Sequence, residues 1–222
     1  MAKRTTSDST TTSALLGLLA IRPWTAYELT QQMQRALRWA WPRSEAGIYA
    51  KIKELEPAGL ATAVEEGVGN RTRTRYEITA AGRDAAREWL HTEPAEPRVE
   101  LEILLRLFLA DLGEPGDLRQ ALAATRRQVA EQLGSLGDIL DEYAGDSAPF
   151  PDRAHINVLF MHFSTRWLVH LLDWCDAVDA ELETWPSTAG VGMSPRIRRL
   201  LDRTRDLHRD AVVRTATLDE SR

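Results

Sequence analysis

The sequence predicts a mainly α-helical protein in two units, the first with one β-hairpin set among its helices. Three observations predict it. Apolar residues recur at steps of three and four along most of the chain. The stretch "LATAVEEGVGNRTRTRYEIT" (60–79) alternates instead, around a Gly-rich turn. "HTEPAEP", residues 91–97, then interrupts the chain with two prolines and no periodicity, which marks a junction between units.

The elements of the first unit, taken as residues 12–91, follow from their caps and stops. Residues 1–11 read as a disordered Ser/Thr tail. Ser13 caps a short helix containing Leu15, Leu18 and Leu19, and Pro23 ends it. Thr25 caps a second helix with Leu29, Met33, Ala36 and Leu37 at helical spacing, and Pro42 stops that one. Ser44 caps a third, whose Ile48, Ile52 and Leu55 form one stripe, with Gly59 just past its end. The hairpin comes next, and Thr79 caps a fourth helix through Leu90. Helix, helix, helix, hairpin, helix in this order is a winged helix-turn-helix. In that fold the third helix lies in a major groove and the hairpin touches the flanking backbone.

The hairpin carries Arg71, Arg73 and Arg75 at every second position, so a strand sends all three to one face. Thr72, Thr74, Tyr76 and Ile78 share the other face and pin the wing to the helices. Alone, such a row reads equally well as charge guarding an edge strand. Beside the three helices it reads as a contact for phosphates or a minor groove. On the third helix, Tyr49 and Lys53 are four apart and share an outer face. Ser44 stands at its N-terminus, Arg43 just before it and Lys51 on a flank. A helix N-terminus with a hydroxyl suits a phosphate, and Tyr and Lys beside it suit phosphates or base edges. The plainer reading packs Tyr49 on the fold and leaves both lysines solvated.

The charge balance agrees. The net charge of -5 divides unevenly: residues 1–90 hold 13 Lys/Arg and 10 Asp/Glu, and residues 91–222 hold 15 and 23. A basic first part on an acidic second part directs only the first toward a polyanion. The single cysteine, Cys175, excludes an intrachain disulfide framework, fits a reducing cytoplasm and reads as core packing. No stretch approaches the ~18 apolar residues of a membrane span. The N-terminus fits a secretion signal poorly, because its apolar run is short and Arg22-Pro23 follows it. A cytoplasmic location is expected.

The second unit, residues 98–215, reads as all-helical. "RVELEILLRLFLADLG" is apolar on most sides and is expected to be largely buried. Residues 117–143 carry a coiled-coil-like seam. A third helix runs from Asp152 to about Thr184, roughly 50 Å at ~1.5 Å per residue. That is long for a compact domain of this size unless it packs on another chain, so a homodimer is expected. Its interface is assigned to Leu101, Leu105, Phe108, Phe163, Trp167, Leu171 and Trp174. Trp167 and Trp174, seven apart on one helix face, are also candidates for an aromatic ligand site, against plain packing. His155, His162 and His170, with Asp173, are spaced too widely for a helical metal pair, so they read as core or interface histidines and no metal is expected. Ser194-Pro195 starts a last helix to about Arg209, its arginines interleaved with Asp202, Asp206 and Asp210 as a solvated, salt-bridged surface.

"SALLGLLAIRPWTAYEL", "WPRSEAGIYAKIKELEPAGL" and "RTRYEITAAGR" together resemble the PadR family of bacterial transcriptional regulators. "ELEILLRLFLADL" and the long helices resemble the virulence-activator-type C-terminal domain of its longer members. The resemblance implies a homodimer on a pseudo-palindromic operator of double-stranded DNA. It also implies a repressor that a small aromatic or amphipathic effector releases. By motif, Tyr27, Ser44, Tyr49 and Lys53 match the DNA-reading region and Arg71, Arg73 and Arg75 match the wing. Ala26 stands where the family often has glycine, and Ala46 and Gly47 where it often has larger polar residues, so base preference does not carry over. No phosphate loop, Cys pair or nucleophile motif appears, so neither a cofactor nor an enzyme is expected. The competing reading is a winged-helix module for protein assembly without sequence-specific DNA binding.

Overall fold

Leu15, Leu16, Leu18 and Leu19 are all buried. Two apolar residues on each side of one helical turn make a helix that must be covered nearly all round. In the computed structural model that helix, α1 (Thr6–Leu19), packs against α2 (Ala26–Leu37), α3 (Glu45–Leu55) and α4 (Ala80–Leu90). The structure describes residues 6–38, 40–68, 71–145 and 147–219. It divides into two units, Met1–Arg98 and Val99–Arg222, each with its own core. Among the described residues no helix is long and apolar enough to cross a membrane.

α1 begins at Thr6, ahead of the expected Ser13 cap, so the Ser/Thr stretch from residue 6 is helix and not tail. The reason is tertiary. Thr11 and Thr12 are buried, and the Thr11 hydroxyl accepts from Trp41 Nε1 at 3.0 Å and Arg43 Nε at 3.3 Å. Residues 1–5 lie outside the described residues. The sequence also hid a third strand. β1 (Trp24–Thr25) pairs antiparallel with β3 (Arg71–Ile78), which pairs on its other side with β2 (Ala61–Val68), giving the order β1-β3-β2. Two residues are too few to show alternation. What holds them is Trp24, buried, its indole N–H donating to Leu18 O at 2.8 Å.

The wing is fastened at its root. Thr79 caps α4, its hydroxyl accepting from Gly82 N–H at 3.0 Å and donating to Gly59 O at 2.7 Å. Thr79 N–H donates to Leu60 O at 3.1 Å, and Leu60 N–H to Leu55 O at 2.9 Å. A Cβ on Gly82 would lie 2.1 Å from Leu60 O and 2.9 Å from Ile78 Cγ1, so only glycine fits between α4 and the start of β2. Gly59, at φ +70°, makes the left-handed turn that leads out of α3.

In the second unit, α6 (Pro115–Ala144) and α7 (Ala154–Leu182) form an antiparallel pair. Their side-chain links run in opposite chain directions. Arg119 donates to Leu182 O, Arg126 reaches Asp176 and Asp179 at 2.8 and 3.1 Å, and Asn157 donates to the Tyr143 hydroxyl. Leu118, Leu122, Val129 and Leu136 of the α6 seam meet Met161, Leu168, Leu171 and Cys175. Burial pushes the Cys175 thiol above its ordinary pKa, which keeps it protonated and inert.

Four expectations change here. α7 starts two residues after Asp152, because Pro151–Arg153 make a 3-10 turn, and ends at Leu182, ahead of Thr184; its 29 residues span roughly 43 Å. The "ELEILLRLFLADL" stretch is only a short helix, α5 (Glu102–Phe108), followed by a 3-10 turn at Ala110–Leu112. Within one chain it buries Ile103 but leaves Phe108 81% and Leu112 82% exposed. Leu171 belongs to the unit's own core, since it faces α6, and His155, His162 and His170 are exposed in the single chain, so of their core and interface readings the core one falls. The last helix, α8 (Pro195–Asp219), runs well past Arg209, with the Ser194 hydroxyl accepting from Ile197 N–H at its start. Among the described residues no three His, Cys, Asp or Glu lie close enough to hold a metal ion.

Gly82→Ala is expected to destabilise the first unit by about 1–3 kcal/mol, because the added methyl meets backbone that has to move. Thermal denaturation followed by circular dichroism checks it. Leu122→Ala, at a fully buried position of the α6 seam, is expected to cost about 2–5 kcal/mol in the second unit.

Candidate nucleic-acid interface

α3 is built from the inside out. Ile48, Ile52 and Leu55 are buried, which turns Ala46, Ala50 and Lys53 to solvent, with Tyr49 half-buried on one flank. Ser44 is an exposed N-cap, its hydroxyl accepting from Gly47 N–H at 3.2 Å. The first-turn amides that follow have no acceptor within the helix and point along its axis, where an anion is favoured. The outer face is small in side-chain volume at Ala46, Gly47 and Ala50, so another surface can approach this helix closely.

Two residues nominated beside α3 are engaged in building it. Lys51 is on the inward flank, its side chain 15% exposed and paired with Glu54 at 2.7 Å. Arg43 lies over the Trp41 ring, 4.3 Å from its centroid, and donates to Thr11 and to Pro42 O. With Gln34 donating to Arg43 O at 2.7 Å, it fixes the turn between α2 and α3. Both position the helix.

On the wing, Arg71, Arg73 and Arg75 stand opposite Val68, Glu66 and Val64 of β2. Cross-strand partners share a face, so Glu66 lies among the arginines, and Glu77 continues their row toward the root. Arg75 is half-buried and pairs with Glu66 at 3.5 Å. Arg73 is exposed; Arg71 opens β3, and its side chain lies outside the described residues. The arginine face is therefore balanced at Arg75 and cationic at Arg73. Among the described residues of the opposite face, Thr74 is exposed and Tyr76 and Ile78 are half-buried.

β1 brings α2 to the root of this face. Thr25 pairs with Arg75 and is also the N-cap of α2. Its N–H donates to Glu28 Oε2 at 2.8 Å while its hydroxyl accepts from Glu28 N–H at 3.2 Å, a reciprocal capping box. Tyr27, on the first turn, is 65% exposed. Arg22 lies here too, its guanidinium 3.5 Å from the centroid of the Trp24 ring and 4.0 Å from Glu28. Sequence reasoning missed Arg22. The signal was available: in an extended segment, positions 22 and 24 share a face, so an arginine there can stack on the tryptophan that anchors the strand.

These contacts hold the Glu28 carboxyl below its ordinary value. The Thr25 N–H acts most strongly; burial opposes it, and the Thr25 hydroxyl, Arg22 and Arg75 add to the lowering.

Trp167 and Trp174 are half-buried against the second unit's core, and the Trp167 ring lies 6.4 Å from that of His170. Of the residues assigned to a dimer interface, Leu105, Phe108 and Phe163 are 63–81% exposed in the single chain, Leu101 is half-buried, and Leu171 is covered.

The first unit is a winged helix-turn-helix. Residues 15–88 match the transcriptional regulator PadR-like family, and residues 101–183 match the virulence activator alpha C-terminal family. The negative transcriptional regulator PadR of Bacillus subtilis (strain 168) is 26% identical over 152 residues, 66% of this chain and 84% of that protein. The fold is similar to that of Bacillus subtilis PadR in complex with operator DNA (TM-score 0.65, 18% identity, 77% of this chain and 98% of that one). It is similar to the same protein in complex with p-coumaric acid (TM-score 0.58, 16% identity, 82% and 100%). The virulence activator AphA of Vibrio cholerae has it as well (TM-score 0.62, 24% identity, 78% and 98%). The chain belongs to the PadR-like family of transcriptional regulators, with a second unit of the virulence-activator type. The family is one of regulators and not of enzymes.

Folding favours ionised Glu28, so its contribution is present above the ordinary value of 4.5 and is lost as pH falls through the lowered one. Glu28→Gln is expected to lower the first unit's stability at neutral pH, where the ionised carboxylate contributes, and to change it little at low pH, where the wild-type carboxyl is protonated as well, so the acid limb flattens. Urea denaturation across roughly pH 3–7 measures both limbs.

Proposed function

We propose that this chain is a homodimeric repressor that binds a pseudo-palindromic DNA operator and releases it when a small aromatic or amphipathic effector binds. The observation that carries the reading is the pairing of an uncovered α3, with its amide-bearing N-terminus, and a wing on which Arg73 stands exposed. Ser44, Tyr49 and Lys53 meet the major groove, and Tyr27 contacts the backbone from the start of α2. Arg71 and Arg73 meet the flanking phosphates or minor groove. Arg75, Arg43 and Lys51 hold these elements in place. Arg22 is added as a backbone contact, already oriented by Trp24. With DNA as partner, the protein works in the cytoplasm.

The exposed apolar residues of the second unit support the dimer. Leu105 and Phe108 on α5, and Leu159 and Phe163 on α7, leave more apolar surface uncovered than a lone unit keeps. A dimer also supplies two reading helices for two half-sites. The Bacillus subtilis relative, a negative regulator solved with operator DNA and with p-coumaric acid, supports repression and an aromatic effector. Trp167 and Trp174 offer such an effector partly exposed rings.

The test is retention of fragmented DNA from the protein's own genome over a salt series. A few enriched fragments sharing an inverted repeat are expected. The log–log salt slope should be about -0.9 per phosphate neutralised. Arg73→Ala should lower that slope by about one contact, equally on all sequences. A well-folded dimer that enriches nothing at low salt sinks the reading in favour of a protein-assembly module. Phe108→Glu with Phe163→Glu is expected to give monomers in sedimentation and to abolish operator binding while both units stay folded.

A further inference from the structure

Helix α8 lies beyond both family matches, which end at residue 183. At about 100° per residue, Ile197, Leu200, Leu201, Thr204, Leu207, Ala211 and Val212 fall within an arc of roughly 140°. The arginines of the helix up to Arg209, and Asp202, Asp206 and Asp210, fall outside it, while His208 and Arg214 fall within it. The arc is uncovered: Leu200, Leu201, Leu207 and Val212 are 41–71% exposed. The seam reads as a heptad, with Ile197, Thr204 and Ala211 in one core position and Leu200, Leu207 and Arg214 in the other. Thr204 is not a polar defect in that seam, because its hydroxyl donates to Leu200 O at 2.8 Å and leaves the methyl facing out.

We propose that this face docks on α8 of a second copy of the chain, the two helices running antiparallel. Antiparallel coils stack one core position against the other, and one register satisfies every layer at once. It sets Thr204 against the partner's Leu207, Leu200 against the partner's Ala211, and Ile197 against the stem of the partner's Arg214. The flanks decide the direction. In this register Arg203 lies beside the partner's Asp210, twice by symmetry, and both residues are exposed in the single chain. On the opposite flank Leu201 meets the partner's His208, which widens the apolar contact. A parallel pair would place Arg203 beside His208 and Arg196 beside Leu201, with no opposite charges facing. Arg196 is already turned to Glu181 at 3.2 Å, away from the seam. The pairing is separate from the α5 and α7 surfaces and from DNA binding, and it adds a contact between chains that the family's matched regions lack.

Disulfide trapping in the full chain tests it. Native Cys175 is buried and does not interfere. Leu200→Cys and Ala211→Cys chains, co-expressed and mildly oxidised, should give a linked dimer on a denaturing gel. Neither variant alone should link, because like positions then lie about 16 Å apart along the axis, beyond the ~7 Å Cα separation a disulfide tolerates. Asp210→Arg should abolish the link, and Arg203→Asp added to it should restore the link. Linking of either single variant overturns the antiparallel arrangement, and linking in no arm overturns the second copy as occupant. A link indifferent to Asp210→Arg overturns the register. None of these outcomes depends on whether DNA is bound, and loss of the α5 and α7 dimer is read separately by Phe108→Glu with Phe163→Glu.

Discussion

The first unit depends on how closely α4 approaches the Leu60 carbonyl. Leu60 follows the turn out of α3, and that one residue makes two hydrogen bonds, back to Leu55 and across to Thr79, and packs against Gly82 with no room for a Cβ. The hairpin starts and ends within this knot. Its strands therefore have little freedom at the root, whatever happens at the tip. A wing fixed in this way keeps its arginine face at a set angle to α3, since Leu55 itself is buried under the same helices. The Thr-x-x-Gly spacing follows from that geometry: the threonine caps α4 and the glycine admits the carbonyl.

Electrostatics add a gradient to this scaffold. At the root, Arg75 and Arg22 face Glu66 and Glu28 and neutralise one another, and the capping box of α2 sits among them. Partly exposed ion pairs of this kind contribute little net stability. Their effect is on where charge remains. Farther along β3, Arg73 is exposed and Glu66, the residue opposite it, already pairs with Arg75, so positive charge is left for a polyanion there, away from the elements that set the wing's angle.

The second unit shows a different economy of surface. Its α6–α7 core is closed and cross-linked by Arg126, yet α5, the outer side of α7 and most of the α8 seam expose large apolar side chains. Apolar area on this scale is costly to leave in water. The two units thus divide the work of the chain: the first finishes its own core and presents charge, and the second leaves apolar faces unmet within one copy.

Much of this was legible in the residues. The caps at Thr25, Ser44 and Thr79, the buried stripe of α3, the hairpin and the α6 seam follow from local spacing, because helices and strands have fixed periods and their ends have few chemical solutions. What the sequence by itself determined was the order of the helices and the hairpin, and the apolar stripe that most of them carry. Tertiary structure alone decided three things. Residues 6–11 are helical because Trp41 and Arg43 reach back to Thr11, a contact more than two dozen residues away that no local rule contains. Arg75, Arg43 and Lys51 are engaged within the unit, because their partners come from another strand, the preceding turn or the same helix flank. And Leu171 went to the core while Phe163, eight residues earlier on the same helix, stayed exposed. Periodicity shows that a helix has an apolar face, but only the packing of a second helix against it fixes which part of a wide face is covered.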